Sequence, residues 1–100
     1  MAIIIYRMET QNNVFMAVSQ VAEKLSGHSF VVGAKQLRKA LKNGKANYVF
    51  LASNADPAIT EPIAALCQLN NVDFAWVKSM TDLGQACGIE VGAAAAASVD

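Results

Sequence analysis

The sequence predicts an α/β fold: a three-layer α/β/α sandwich with a mixed, about four-stranded central sheet. Three observations point there. The quarter of the chain from Gly33 to Pro57, GAKQLRKALKNGKANYVFLASNADP, reads as a helix, a turn, a continuous apolar strand and a polar strand end. The remaining text alternates strand and helix patterns around it. The chain has 100 residues, of which 54% are apolar, enough for one domain with a single modest core.

In chain order, Ala2 to Tyr6 predicts a short strand if it finds a partner, and Thr10 to Asn13 is polar text able to cap the next element. Val14, Val18, Val21, Ala22 and Leu25 recur at helical spacing, so a helix is predicted from Asn13 to Leu25 and ends at Ser26-Gly27-His28. Residues 1–15 read as an extension, because the text from Met16 onward forms a small domain by itself. Phe30 to Val32 is a short strand running into Gly33. A helix opening there lines Ala34, Leu37, Ala40 and Leu41 on one face, and Gly44 stops it. Tyr48 to Ala52 is apolar without alternation, as in a strand covered on both faces. A helix is expected from Thr60 to Leu69, with Thr60 as its cap and Pro62 in its first turn. Val72 to Val77 is a buried strand carrying Phe74 and Trp76 as core. Ser79, with Asp82 three residues on, opens a short helix. Val91 to Val99 contains five successive alanines. Alanine favours helix, but the turn glycines before it and its place at the end of the run suit a narrow strand pressed between helices.

The formal net charge is zero, yet the charge is segregated. Lys24 to Ala55 holds six basic residues and no acidic one, whereas Asp56 to Asp100 holds six acidic residues and one lysine, Lys78. A one-signed face of this kind can steer a polyanion although the sum vanishes. Cys67 and Cys87 sit in apolar text and read as packed, reduced thiols rather than a disulfide or zinc set. The opening MAIIIYR lacks the basic start and length of a signal peptide, and no run reaches membrane-spanning length, so cytoplasm is the expected compartment.

Catalytic motifs are missing from the text: it shows no nucleophile elbow, phosphate-binding glycine loop or histidine cluster. Asp56 reads as a cap for the turn before Pro57. The opening of the basic helix reads differently. Free N–H groups and the positive end of the helix dipole, with Gly33 in front, form a ready anion site. Lys35 and Gln36 occupy its first turn, and the Gln36 amide can both donate to and accept from a base edge. Lys39 lies one turn below Lys35, and Arg38 and Lys42 widen the cationic face. No aromatic residues interleave with these cations, so a structured RNA fits better than a single strand threaded over stacking platforms.

VVGAKQLRKALKNGKANYVFLASNADP, followed by LCQLNNVDFAWVKSMTDLGQACGIEVGAAAAAS, resembles the ribosomal protein L7Ae family and within it the small bacterial L7Ae-like members. The resemblance runs from about Phe30 to Ser98, and its most specific part is LGxACGIEVG before a small-residue strand. It implies an α/β/α sandwich that holds kink-turn RNA, a sharply bent helix built around tandem sheared G·A pairs. The family's first-turn pattern is Gly-x-Asn-Glu with a basic residue three positions on. Here these positions are Gly33, Ala34, Lys35, Gln36 and Lys39, and the changes at Lys35 and Gln36 are those expected of the small bacterial members. The resemblance also implies a second contact at Ile89, Glu90 and Val91, whose apolar members would pack on exposed nucleotides of the bulge.

The expectation is thus a non-enzymatic RNA-binding protein with Gly33, Ala34, Lys35, Gln36, Arg38, Lys39, Lys42, Ile89, Glu90 and Val91 as its RNA-binding residues. Its implied partner is a structured RNA containing a kink-turn, within ribosomal RNA or an mRNA leader, bound by a monomer. Neither a cofactor nor DNA nor a membrane is expected, and ribosome association is. The competing expectation is a protein-interaction or regulatory α/β module that binds no specific RNA and uses its acidic half for a partner.

Overall fold

The computed structural model describes residues 15–99. Five strands and four helices alternate in order: β1 (Phe15–Met16), α1 (Val18–Leu25), β2 (Ser29–Val32), α2 (Ala34–Lys42), β3 (Ala46–Ala52), α3 (Pro57–Leu69), β4 (Asp73–Val77), α4 (Met80–Ala86) and β5 (Ala95–Val99). The strands form one mixed sheet in the order β1-β4-β3-β5-β2. β1 and β3 run parallel to β4, while β5 is antiparallel to both β3 and β2.

Successive strand residues face opposite sides, and the core divides accordingly. Phe50 and Ala52 of β3, Ala75 and Val77 of β4 and Ala96 of β5 meet Val21 and Leu25 of α1 and Leu83 of α4. Val49, Leu51, Phe74, Ala95 and Ala97 meet Leu37, Ala40 and Leu41 of α2 and Ile63 and Cys67 of α3. This is the expected three-layer sandwich. The alanine run is a strand, as expected, because a residue between β2 and β3 with helices above and below has room for only a small side chain. It begins at Ala95 rather than Val91, and the four residues before it belong to a loop held on α4.

Four other expectations change. The sheet has five strands, not about four, because Phe15 and Met16 pair with Trp76 and Val77 at the edge instead of starting a helix. The helix predicted from Asn13 accordingly begins at Val18, where Gln20 Oε1 accepts from the Ala17 N–H at 2.9 Å. The expected strand at Ala2 to Tyr6, the polar text at 10–13 and residues 1–14 of the expected extension lie outside the described residues. Third, α3 opens at Pro57, not Thr60. Asp56 Oδ1 accepts from the Ala58 N–H at 2.9 Å, so Asp56 is the cap and Pro57 fills the first helical position. Thr60 is instead buried within the helix, and Pro62 lies beyond the first turn. Trp76, expected in the core, is only half-buried beside the edge strand.

Both thiols are free and buried. Desolvation lifts the Cys67 thiol from its ordinary value near 9 up to about 12, and raises that of Cys87. The folded protein therefore holds the Cys67 proton where the unfolded chain releases it. Stability from this group is complete below about pH 9 and falls as pH rises toward 12. At pH 8, alkylation of Cys67 is expected to be slow in the native protein and rapid in denaturant, read by mass spectrometry of the labelled peptide. Equal rates would show that the site is open. No helix among the described residues is long and apolar enough to cross a membrane.

Candidate nucleic-acid interface

The carboxyl ends of β2, β3 and β4 and the amino end of β5 meet at one end of the sheet, and the sequence-predicted residues gather there. Gly33 follows directly on β2 and caps α2. Its N–H donates to the Ala95 carbonyl at 2.9 Å, and its carbonyl accepts from Leu37 N–H at 3.0 Å. Because the Gly33 N–H is committed to the sheet and no side chain caps the helix, the N–H groups of Ala34, Lys35 and Gln36 are the ones left facing outward at the opening of α2.

Gly33 has φ 106° and ψ 144°, a region that residues with a Cβ rarely occupy. An added Cβ would meet nothing within 4 Å, so the demand here is conformational, not spatial. Gly33→Ala is expected to cost about 1–3 kcal/mol of stability in denaturant unfolding, by the usual cost of such backbone strain. An unchanged midpoint would show that the turn relaxes freely.

On α2, Leu37, Ala40 and Leu41 are buried, whereas Lys35, Gln36, Arg38, Lys39 and Lys42 are exposed. At 3.6 residues per turn, Lys35, Lys39 and Lys42 share one face, Arg38 flanks it on one side, and Gln36 sits on the other side near the helix opening. The first turn carries no acidic residue, and Lys39 and Lys42 lie in the last. Of the other basic residues in this half of the chain, Lys24 is on α1, with its ammonium 4.7 Å from the centre of the Tyr48 ring. That cation belongs to the opposite helical layer.

The loop before β5 forms the second part of this candidate surface. The Ile89 N–H donates to the Gly84 carbonyl and the Ala93 N–H to the Met80 carbonyl, each at 3.0 Å, which lays the loop along α4. Val91 is 69% exposed and Ile89 36%, so two apolar side chains face solvent on a fixed backbone, with Glu90 exposed between them. The Ala94 carbonyl accepts from Ala52 N–H at 2.9 Å, while that of Ala95 accepts from Gly33. The loop thus enters the sheet between the ends of β3 and β2, beside the opening of α2. All ten sequence-predicted site residues fall on these two segments.

Sequence reasoning missed what surrounds them. Ser53 Oγ donates to the Lys78 carbonyl at 2.8 Å, and Asn54 Oδ1 accepts from Met80 N–H at 2.8 Å, tying the end of β3 to the start of α4. Lys78 and Met80 are exposed at this same end of the sheet. The only sequence signal for them was polar text directly after two buried strands. Chemically, this surface offers cations, outward N–H groups and a small apolar shelf. Among the described residues, no group of three or more His, Cys, Asp and Glu could hold a metal ion.

The model of the ribosomal protein L7Ae/L30e/S12e/Gadd45 family matches residues 16–100. The chain is 49% identical over 69 residues to a protein of Bacillus pumilus named RNA-binding protein, covering 69% of this chain and 84% of that one. It is 45% identical over 73 residues to RNA-binding protein YbxF of Geobacillus stearothermophilus, covering 73% and 89%. Among solved structures, the Giardia lamblia 15.5kD RNA binding protein superposes with a TM-score of 0.74 at 27% identity, over 83% of this chain and 70% of that one. With the fold and these matches in agreement, the chain belongs to the ribosomal protein L7Ae/L30e/S12e/Gadd45 family.

Proposed function

We propose that this protein is a non-enzymatic RNA-binding protein that recognises and stabilises a kink-turn, in ribosomal RNA or an mRNA leader. The observation that carries the reading is the juxtaposition of an uncapped basic helix opening with an exposed apolar loop at the same end of the sheet. The relatives named as RNA-binding proteins support it. In this reading the N–H groups of Ala34, Lys35 and Gln36 and the side chains of Lys35, Gln36 and Lys39 hold the bent, purine-rich segment. Ile89 and Val91 cover nucleotides splayed out of the stack, since apolar side chains support bases while cations hold the backbone. The protein works by binding the kinked form better than the extended one and so shifting the RNA between them. A monomer working in the cytoplasm on the ribosome or its messages completes the proposal.

Binding measured between about 50 and 200 mM salt is expected to weaken steeply and linearly on a log–log plot, as phosphate contacts require. A flat salt dependence would contradict it and favour a protein-interaction module.

A further inference from the structure

Between α3 and the β1 edge of the sheet runs an open groove of about 550 Å³. Pro57, Ala64 and Ala65 of α3 line it together with Phe15 of β1 and Trp76 of β4, and Glu61 adds a carboxylate. Phe15 lies opposite Trp76 in the parallel β1–β4 register, so both rings stand on the face of the sheet that α3 covers. The alanines keep the helix side of the groove low and leave the rings open to water. Phe15 is 60% exposed and Trp76 half-buried. None of these residues belongs to the helix-and-loop surface described above. Two aromatic rings beside a shelf of alanines present apolar area that a further segment gains free energy by covering.

The chain itself brings such a segment to this place. Residues 1–14 lead directly into Phe15, and they contain the apolar run Ala2-Ile3-Ile4-Ile5-Tyr6 followed by Arg7. We propose that Ile3, Ile4 and Ile5 dock in this groove of their own chain, against Phe15, Trp76 and the alanines of α3, with Arg7 beside Glu61. Reach permits it. The nine residues from Tyr6 to Val14 span up to about 30 Å when extended, whereas the 13 residues of α3 measure about 20 Å. Tethering favours it, because a segment held by a short linker is present at an effective concentration on the order of mM. Charge agrees as well: α3 carries Glu61 and no basic residue, so the arginine after the apolar run meets a field of opposite sign. The docking covers the open aromatic pair and gives the isoleucine run the apolar partner that its composition requires. It stands independently of RNA binding, and its test needs no RNA.

Trp76 is the one tryptophan of the chain, so its fluorescence reports the groove directly. The full-length wild type is compared with Ile3→Ser/Ile4→Ser/Ile5→Ser, with Ala65→Lys and with the combination of both, by emission spectrum and thermal unfolding. Ala65 is exposed on α3, and a lysine there follows Glu61 by four residues, a pairing that favours the helix. Ala65→Lys therefore obstructs the groove without weakening α3 itself. Each variant is expected to move the Trp76 emission to longer wavelength and to lower Tm by about 5–10 °C, as the loss of buried aliphatic area does in a domain of this size. The combination should lose no more than either variant alone, since both empty the same groove. Unchanged emission and melting in the triple variant, or effects of the two changes that add, would overturn the docking. Wild-type emission that shifts toward the variant's on dilution would overturn it too, because the segment would then be held by a second copy and not by its own chain.

Discussion

Reversing charge at both Lys35 and Lys39 is expected to lower affinity for a kink-turn RNA by at least about 100-fold and leave the fold intact. Removing one charge-assisted hydrogen bond costs roughly 1.5–3 kcal/mol. About 1.4 kcal/mol is tenfold in affinity, so removing two reaches this range before repulsion from the new carboxylates is counted. The fold has little reason to respond. Both side chains are exposed. Lys35→Glu places a negative charge at the positive end of α2, which favours the helix, while Lys39→Glu places one in the last turn, which opposes it. The two effects offset, and the melting temperature should move by only a few degrees. Fluorescence titration alongside thermal unfolding separates the outcomes. Near-normal binding would remove α2 from the interface, and collapse of the melt would give these lysines a structural role.

Gly84→Ala is expected to destabilise this protein strongly, because among its glycines only Gly84 has no room for a Cβ. A Cβ at Gly84 would overlap the Val91 carbonyl oxygen and crowd the Gly92 Cα at 3.2 Å. Both obstacles are backbone, so no side chain can swing aside. The loop must lift from α4, straining its hydrogen bonds from Ile89 to Gly84 and from Ala93 to Met80. Overpacking of this kind costs about 2–3 kcal/mol, which for a domain of this size is roughly 10–20 °C in Tm. Gly92→Ala is the natural comparison. Its Cβ would meet the Met80 Cβ at 3.1 Å and the Met80 backbone at 3.3 Å, which a small shift relieves, so a milder loss is expected. If the loop contacts RNA through Ile89 and Val91, Gly84→Ala should also weaken binding at temperatures where the variant is still folded. A melt indistinguishable from wild type would show that the loop rides freely over α4.

The parts of this fold that are legible in the sequence are those whose cause is local. The α2–β3 unit can be read because its apolar stripe, its stop at Gly44 and the unbroken Tyr48–Ala52 run all act within a few residues of one another. Ser79 is readable as a cap, and its side chain does accept from the Asp82 N–H at 3.1 Å. The alanine strand is readable only by reasoning about its neighbours, since alanine alone argues for helix. The hidden causes are long-range. Nothing near Phe15 in the text announces pairing with Trp76. Nothing near Gly84 reveals that its missing side chain makes room for a carbonyl seven residues on. The start of α3 is ambiguous in the text because two polar residues, Asp56 and Thr60, both suit a cap. Asp56 takes the position through its bond to Ala58. The site divides the same way. The cations of α2 and their outward face follow from helical periodicity, whereas the nearness of Ile89 and Val91 to them depends on β5 entering the sheet between β2 and β3.

In the proposed function, the opening of α2 and the loop before β5 together recognise a kinked RNA. The most direct test of this recognition is titration of the full chain against a labelled kink-turn RNA and against the same RNA with its two sheared G·A pairs disrupted, at one moderate salt concentration. Tight binding to the intact element and a loss of at least about 100-fold on the disrupted one is the predicted result. The disrupted RNA cannot present the bent surface, and each tenfold loss corresponds to about 1.4 kcal/mol of shape-dependent contact. Equal affinity for the two RNAs would contradict the account and reduce the surface to a general polyanion site.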